Sequence, residues 1–400
     1  MDSTDLIELA NTYGAQNYKP LPVVIEQAEG VFMWDCEGRR YLDFLSCYSA
    51  VSHGHRHPRL VKAACAQLEK VTVTSRAFHN SELGPFFQEL CAYTGMEMVL
   101  PMNTGVEAIE TAIKAARKWA YQVKKVPRYE AEIIACSGNF HGRTVTAVSF
   151  STESLYREDF GPFTPGFQVV PYGDLDALRQ AINPATAAFL VEPIQGEAGV
   201  IMPPRGYLAA AREICSRANV LMIADEIQTG FGRTGRRFGC DHEGVRPDMM
   251  TLGKALGGGI YPVSAVAGSR ECLGLFTPGE HGSTFGGNPL GCAIARESLR
   301  VLEEEGLCER SAELGAYLLQ RLRTIQSRHI RDVRGLGLFI GMELYPEAKG
   351  ARRFCEALMT RGLLCKETHD DVIRFAPPLV ITREQLDWAV DQVSEVLTSL

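Results

Sequence analysis

Residues 252–265, LGKALGGGIYPVSA, place one lysine in a glycine-rich run, and Asp248 is the only acid within ten residues of it. A lysine in such surroundings is costly to bury as a bare ammonium unless it is paired or chemically used. The chemistry open to Lys254 is Schiff-base formation, which a lysine of lowered pKa performs. A second candidate lies in VLMIADEIQTG, where Asp225 closes an apolar run that reads as a buried strand. Ligands of open α/β sheets bind at such carboxyl ends. A third lies in MVLPMNTGVEAIETAIKAARKWA, residues 98–120. There an apolar run ends at Met102, Asn103-Thr104-Gly105 turn, and Ile109, Ala112, Ile113 and Ala116 follow at helical spacing. Free N–H groups and the positive end of the helix dipole make such a start an anion site. An ordinary turn capped by Thr104 accounts for the same residues.

Other groups extend the inventory. LVEPIQGEAG carries Glu192 and Glu197 just past an apolar run, and NFHGRT sets Arg143 beside Phe140 and His141. HGSTFGGNPLG, with Ser283 and Thr284 before a helix, is a second candidate anion cradle. VIRFAPPL frames Arg374 with apolar residues, where its charge must meet a carboxylate or phosphate. A Schiff-base lysine, a carboxylate for a ring nitrogen and phosphate cradles are what pyridoxal phosphate requires. Residue logic alone leaves this level with some other α/β enzyme of a phosphate ligand. An ATPase is disfavoured, because the apolar run ending in Asp225-Glu226 has no GxxxxGK[ST] loop to serve.

These groups need elements to position them. EIIACSG, FQVVPY, AAFLVEP and VLMIADE read as strands buried on both faces, with helical patterns such as LDALRQAI between them. The alternation predicts a mostly parallel sheet covered by helices over residues 61–295. Residues 22–45 read as short strands with turns at Glu29-Gly30 and Glu37-Gly38. From residue 296 the pattern shifts to helices near 289–304, 309–327 and 383–398 around the strand-like GLGLFIGMEL. This predicts a smaller α+β domain, residues 296–400, packed with the N-terminal segment 1–60. A length of 400 residues with 46% hydrophobic composition supports such a two-lobed core. The net charge of −7 and the absence of a basic block give no sign of nucleic-acid or membrane-surface binding. The 12 cysteines form no metal spacing and read as reduced thiols of a cytoplasmic protein, and no metal site is expected. MDSTDLIELA lacks both a signal core and the look of a transit peptide.

EPIQGEAG, ADEIQTGFGRTG, PDMMTLGKALGGGIYPVSA and GSTFGGNPLGCA, in this order and spacing, resemble the class III pyridoxal-phosphate-dependent aminotransferases of fold type I. The resemblance runs from about residue 13 to the C-terminus. YGAQNYKPLPV, DFLSCYSAV, TSRAF, PMNTGVEAIETA and DVIRFAPPLVI are most similar to the members that use ornithine. The resemblance implies a large α/β domain with a seven-stranded, mostly parallel sheet and a smaller α+β domain from both chain ends. It implies Lys254 as the Schiff-base lysine, Asp225 on the pyridine nitrogen, Gln228 near the ring hydroxyl and Phe140 stacked on the ring, with His141 beside it. Thr104, Gly105, Val106 and Ser283 would belong to the cofactor site, and Thr284 of a partner subunit would join them at the phosphate in a homodimer, with higher assembly open. Tyr18, Tyr48, Arg143, Glu197 and Arg374 would form the substrate pocket, with L-ornithine and 2-oxoglutarate as substrates. Glu197 would mask Arg374 in the first half-reaction and release it in the second. Acetylornithine or 4-aminobutyrate as donor is the alternative, and a racemase or decarboxylase a remoter one. His79 and His141 depart from a larger aromatic expected in the animal enzymes, and both are expected beside the pocket.

Overall fold

The structure, a computed structural model, describes residues 1–400. The apolar runs form a seven-stranded sheet in the order Met98–Met102, Ser264–Gly268, Met249–Leu252, Leu221–Asp225, Thr186–Val191, Glu132–Cys136, Phe167–Val170. Thr186–Val191 and Leu221–Asp225 are buried at every position, as befits strands covered by helices on both faces. Ser264–Gly268 runs antiparallel to both its neighbours. The return from Met249–Leu252 contains no crossover helix, and a parallel connection would demand one. Lys254 lies in that return.

Both chain ends build smaller sheets. Ile25–Glu29, Phe32–Asp35 and Arg40–Asp43 form a meander, and Arg40–Asp43 pairs in parallel with Leu363–Leu364. A second sheet comprises Ile330–Leu336, Phe339–Leu344, Val372–Phe375 and Lys366–Thr368, all antiparallel. One core of 48 buried apolar residues runs from Leu42 through Leu252 and Leu299 to Phe375, so both sheets are packed onto the large one. Helices Pro289–Glu304 and Arg383–Ser399 agree with their periodicity. The helix expected over 309–327 spans Leu307–Arg323, entering from left-handed Gly306. Its Gly315 lies so close to Gly337 that a Cβ would sit 2.0 Å from the Gly337 carbonyl carbon. Helix Ser3–Tyr13 and the left-handed turn at Ser46–Ser49 have no counterpart in the sequence reading. No helix is long and apolar enough to cross a membrane.

Candidate active site

Six of the seven strands, all but Ser264–Gly268, end on the same side of the large sheet, and most of the candidate residues stand at or just past those ends. Asp225 pairs in register with Thr251, three residues before Lys254, while Met102 pairs with Ser264 and sets the 103–105 turn beside them. Asp225 is buried; its Oδ1 accepts from Thr251 Oγ1 at 2.9 Å and from the Ile227 N–H at 3.1 Å. Oδ2 lies 2.7 Å from His141 Nδ1. Burial alone would push the His141 pKa down, but the hydrogen bond and charge of Asp225, with Glu192 beyond, raise it. Lys254 has its pKa lowered by burial, which the charges of Glu197 and Asp225 only partly oppose. Lys254, Asp225, His141, Phe140, Val106 and Gly105 line a cavity of about 210 Å³.

The helix Gly105–Trp119 starts at this cavity. Glu107 accepts the N–H groups of Asn103 and Thr104 at 3.0 and 2.7 Å. The N–H groups of Gly105 and Val106 belong to the first turn and have no acceptor within the helix. A Cβ on Gly105 would stand 3.1 Å from Ile227 Cδ1 and narrow the approach to them. These residues fit pyridoxal phosphate. They offer an amine for its aldehyde, an oriented carboxylate for its ring nitrogen, an aromatic wall at Phe140 and an open cradle for its phosphate.

Beside the cavity stands an ion pair between a buried arginine and a partly buried glutamate. Arg374, 1% exposed on strand Val372–Phe375, donates from Nη1 to Glu197 Oε1 at 2.6 Å. Its Nε and Nη2 are buried with no partner, leaving two donors ready for another carboxylate. Burial pushes the Glu197 pKa up, but Arg374 and Lys254 more than reverse this and hold it low. Gln228 Nε2 donates to Glu197 Oε1 at 3.3 Å and to the Tyr48 carbonyl at 3.4 Å. The Tyr48 ring lies 4.9 Å from the Arg374 guanidinium. At the far end Arg143 is exposed, with Tyr156, Phe140 and Tyr18 around its guanidinium at 4.5, 5.8 and 5.9 Å.

The family of class-III aminotransferases matches residues 13–397. The chain belongs to it. An ornithine aminotransferase from Brevibacillus brevis is 60% identical over 392 residues, 98% of each chain. A solved ornithine aminotransferase from Toxoplasma gondii, with pyridoxal phosphate at partial occupancy in its active site, superposes with a TM-score of 0.97. It is 46% identical and covers 99% of this chain and 94% of its own. A solved acetylornithine aminotransferase from Elizabethkingia anophelis, also 46% identical, has a TM-score of 0.91 and covers 99% of both chains. Aminotransferases of this class are pyridoxal-phosphate enzymes, and the fold is theirs.

In this aminotransferase the structure brings together Lys254, Asp225, His141, Phe140, Gln228, Gly105 and Val106 around one cavity. Glu197, Arg374, Tyr48, Tyr18 and Arg143 follow at its mouth. Ser283 hydrogen-bonds Asn103 of its own chain at 2.8 Å, whereas Thr284 is exposed. His79 is exposed in the single chain. Tyr156, against Arg143, is absent from the residues the sequence singles out; it is half-buried in the short helix Ser154–Arg157, and a lone aromatic there carries no signal in sequence. The sequence motifs assign Glu192 no role. It is buried, accepts the Phe140 N–H at 3.1 Å, and burial pushes its pKa up to about 8.

Proposed function

We propose that this chain transfers the δ-amino group of L-ornithine to 2-oxoglutarate in two half-reactions, giving glutamate-5-semialdehyde, which cyclises to pyrroline-5-carboxylate, and glutamate. The carrying observation is the Arg374–Glu197 pair with its two unpartnered guanidinium donors. Pyridoxal phosphate, anchored by Lys254, supplies the electron sink for the carbanion at the amine-bearing carbon. The residues do the rest. Lys254 Nζ, with its lowered pKa, takes the proton from that carbon and returns it, as general base and then acid. Asp225, fixed by His141, Thr251 and the Ile227 N–H, holds a proton at the ring nitrogen by its negative charge. Arg143 binds the far carboxylate of either substrate, with Tyr18 closing over it.

The pair lets one pocket serve two substrates. Ornithine presents only CH₂ beside the reacting carbon, so Glu197 neutralises Arg374; 2-oxoglutarate presents a carboxylate there, so Glu197 yields Arg374 to it. Glu197→Ala unmasks Arg374. It is expected to favour α-amino donors over ornithine by about an order of magnitude, the worth of one charge-assisted hydrogen bond of about 1.5 kcal/mol. The assay supplies L-ornithine, N-acetylornithine and 4-aminobutyrate in turn with 2-oxoglutarate and traps pyrroline-5-carboxylate with o-aminobenzaldehyde. No trapped product from L-ornithine, with turnover of N-acetylornithine, assigns the donor named for the Elizabethkingia relative instead.

We further propose a cytoplasmic homodimer in which Thr284 of the partner subunit reaches the phosphate. Its support is the exposed Thr284-Phe285 pair, with Phe285 48% exposed, and a second cavity of about 340 Å³ beside Gly105 and Lys254.

A further inference from the structure

Residues Ser46–Ser49 all lie in the left-handed region, with φ of 44°, 47°, 58° and 76°. None is glycine, and four consecutive side-chain-bearing residues there form a strained run that surrounding structure must impose. The run carries Tyr48, whose ring lies against Arg374 and whose carbonyl accepts from the Gln228 amide that also reaches Glu197, so it meets one member of the gating pair directly and the other through Gln228. Asp43 Oδ1 accepts the N–H groups of Leu45 and Ser46, each at 2.8 Å, and Ser52 Oγ donates to the Ser49 carbonyl at 3.0 Å. Ser46 Oγ also donates to the Ala376 carbonyl, two residues past Arg374, and Arg233 adds a second tie between the same segments.

Arg233 is fully buried, and every acceptor of its guanidinium is uncharged. Nη1 donates to the carbonyls of Leu338 at 2.8 Å and Pro377 at 2.6 Å; Nη2 donates to Ser52 Oγ at 3.0 Å and Ser46 Oγ at 3.3 Å. Burial pushes its pKa down to about 9, against the weaker pull of Asp43. A cation held among neutral acceptors is destabilising in itself. Its rigid fork, however, spans separate segments in a way no ammonium can. One prong holds the chain three residues past Arg374; the other holds the strained turn that carries Tyr48. Lys254 and Asp225 stand on strand ends that this guanidinium does not touch.

We infer that Arg233 is a positioning residue that fixes Tyr48 against the Arg374–Glu197 pair, and so sets the discrimination between a reacting carbon bearing CH₂ and one bearing a carboxylate. This deepens the proposed function and rests on it. Loosening the turn disturbs the gate while leaving the proton-transfer residues in place.

The test uses the holoenzyme of two variants. Arg233→Lys keeps a cation and loses the fork; Ser52→Ala removes one acceptor of the fork together with the hydroxyl that links it to the Ser49 carbonyl, and leaves Arg233 in place. For each, kcat and KM are measured with L-ornithine and with L-glutamate, alongside bound pyridoxal phosphate and Tm. The ornithine-to-glutamate ratio of kcat/KM is expected to fall about tenfold in Arg233→Lys. In Ser52→Ala it falls by a smaller factor in the same direction, and cofactor content is unchanged. A ratio that holds in Ser52→Ala, and in Arg233→Lys if that variant folds, while Tm or both rates drop together, overturns the inference. Wild-type enzyme that turns over another amine but not L-ornithine overturns the proposed donor instead. The ratio of that amine to glutamate then decides the role of Arg233.

Discussion

At the scale of residues, the site separates charges by giving each a different surrounding. Glu197 meets a buried guanidinium and stays ionised; Glu192, one loop turn earlier, meets an N–H and the negative charge of Asp225 and is held protonated. Burial is the main cause at Glu192, its charge interaction with His141 pulls the other way, and the net value is about 8. This has a consequence for stability. A carboxyl whose unfolded pKa is about 4.3 and whose folded value is about 8 binds its proton more tightly in the folded state. Its contribution is full below pH ~4.3 and is lost as pH rises toward 8, by up to about 1.4 kcal/mol per pH unit. Glu192→Gln keeps an acceptor for the Phe140 N–H and removes the titration. Thermal melts at pH 6 and pH 8 are expected to show a smaller fall in Tm for the variant than for the wild type. Equal falls would exclude Glu192 as the source.

At the scale of elements, the site depends on where strands stop. Six parallel-running strands end on one side of the sheet, and the helix Gly105–Trp119 starts on that same side. The turn needs little side chain there. Gly105→Ala puts a Cβ 3.1 Å from Ile227 Cδ1, contact that the flexible end of the isoleucine absorbs. Alanine is also the better helix former. Stability of the apoenzyme is therefore expected to stay within about 0.5 kcal/mol. Affinity for pyridoxal phosphate, measured by fluorescence titration of the apoenzyme, should fall about tenfold as the phosphate loses its approach to the N–H groups. Unchanged affinity would place the phosphate elsewhere.

At the scale of the whole molecule, the proposed homodimer, with Thr284 of one subunit completing the site of the other, makes a distinctive outcome available. Lys254→Ala and Thr284→Ala chains are each expected to be impaired alone. Dissociated and reassociated together, they form hybrids in which one site holds Lys254 from one chain and Thr284 from the other, and activity partly returns. Mixtures no more active than their components would confine the site to a single chain. Much of this architecture was legible in sequence, because neighbouring residues encode it: the buried strand at 221–225, the turn and helix at 103–119, and the glycine-flanked lysine are local patterns of burial and turn chemistry. The family motifs added residue roles, yet not the contacts that enforce them. Arg374 finds Glu197 177 positions away and His141 finds Asp225 84 positions away, and such pairings follow from strand order and crossovers. The left-handed turn at Ser46–Ser49 had no local signature, since serine, cysteine and tyrosine do not prefer it. By itself the sequence determined the chemical inventory and the elements that carry it. Only the tertiary structure decided which charges are paired, which are left open for a substrate, and which strained turn is held by Arg233, because those depend on groups distant in the chain being desolvated together.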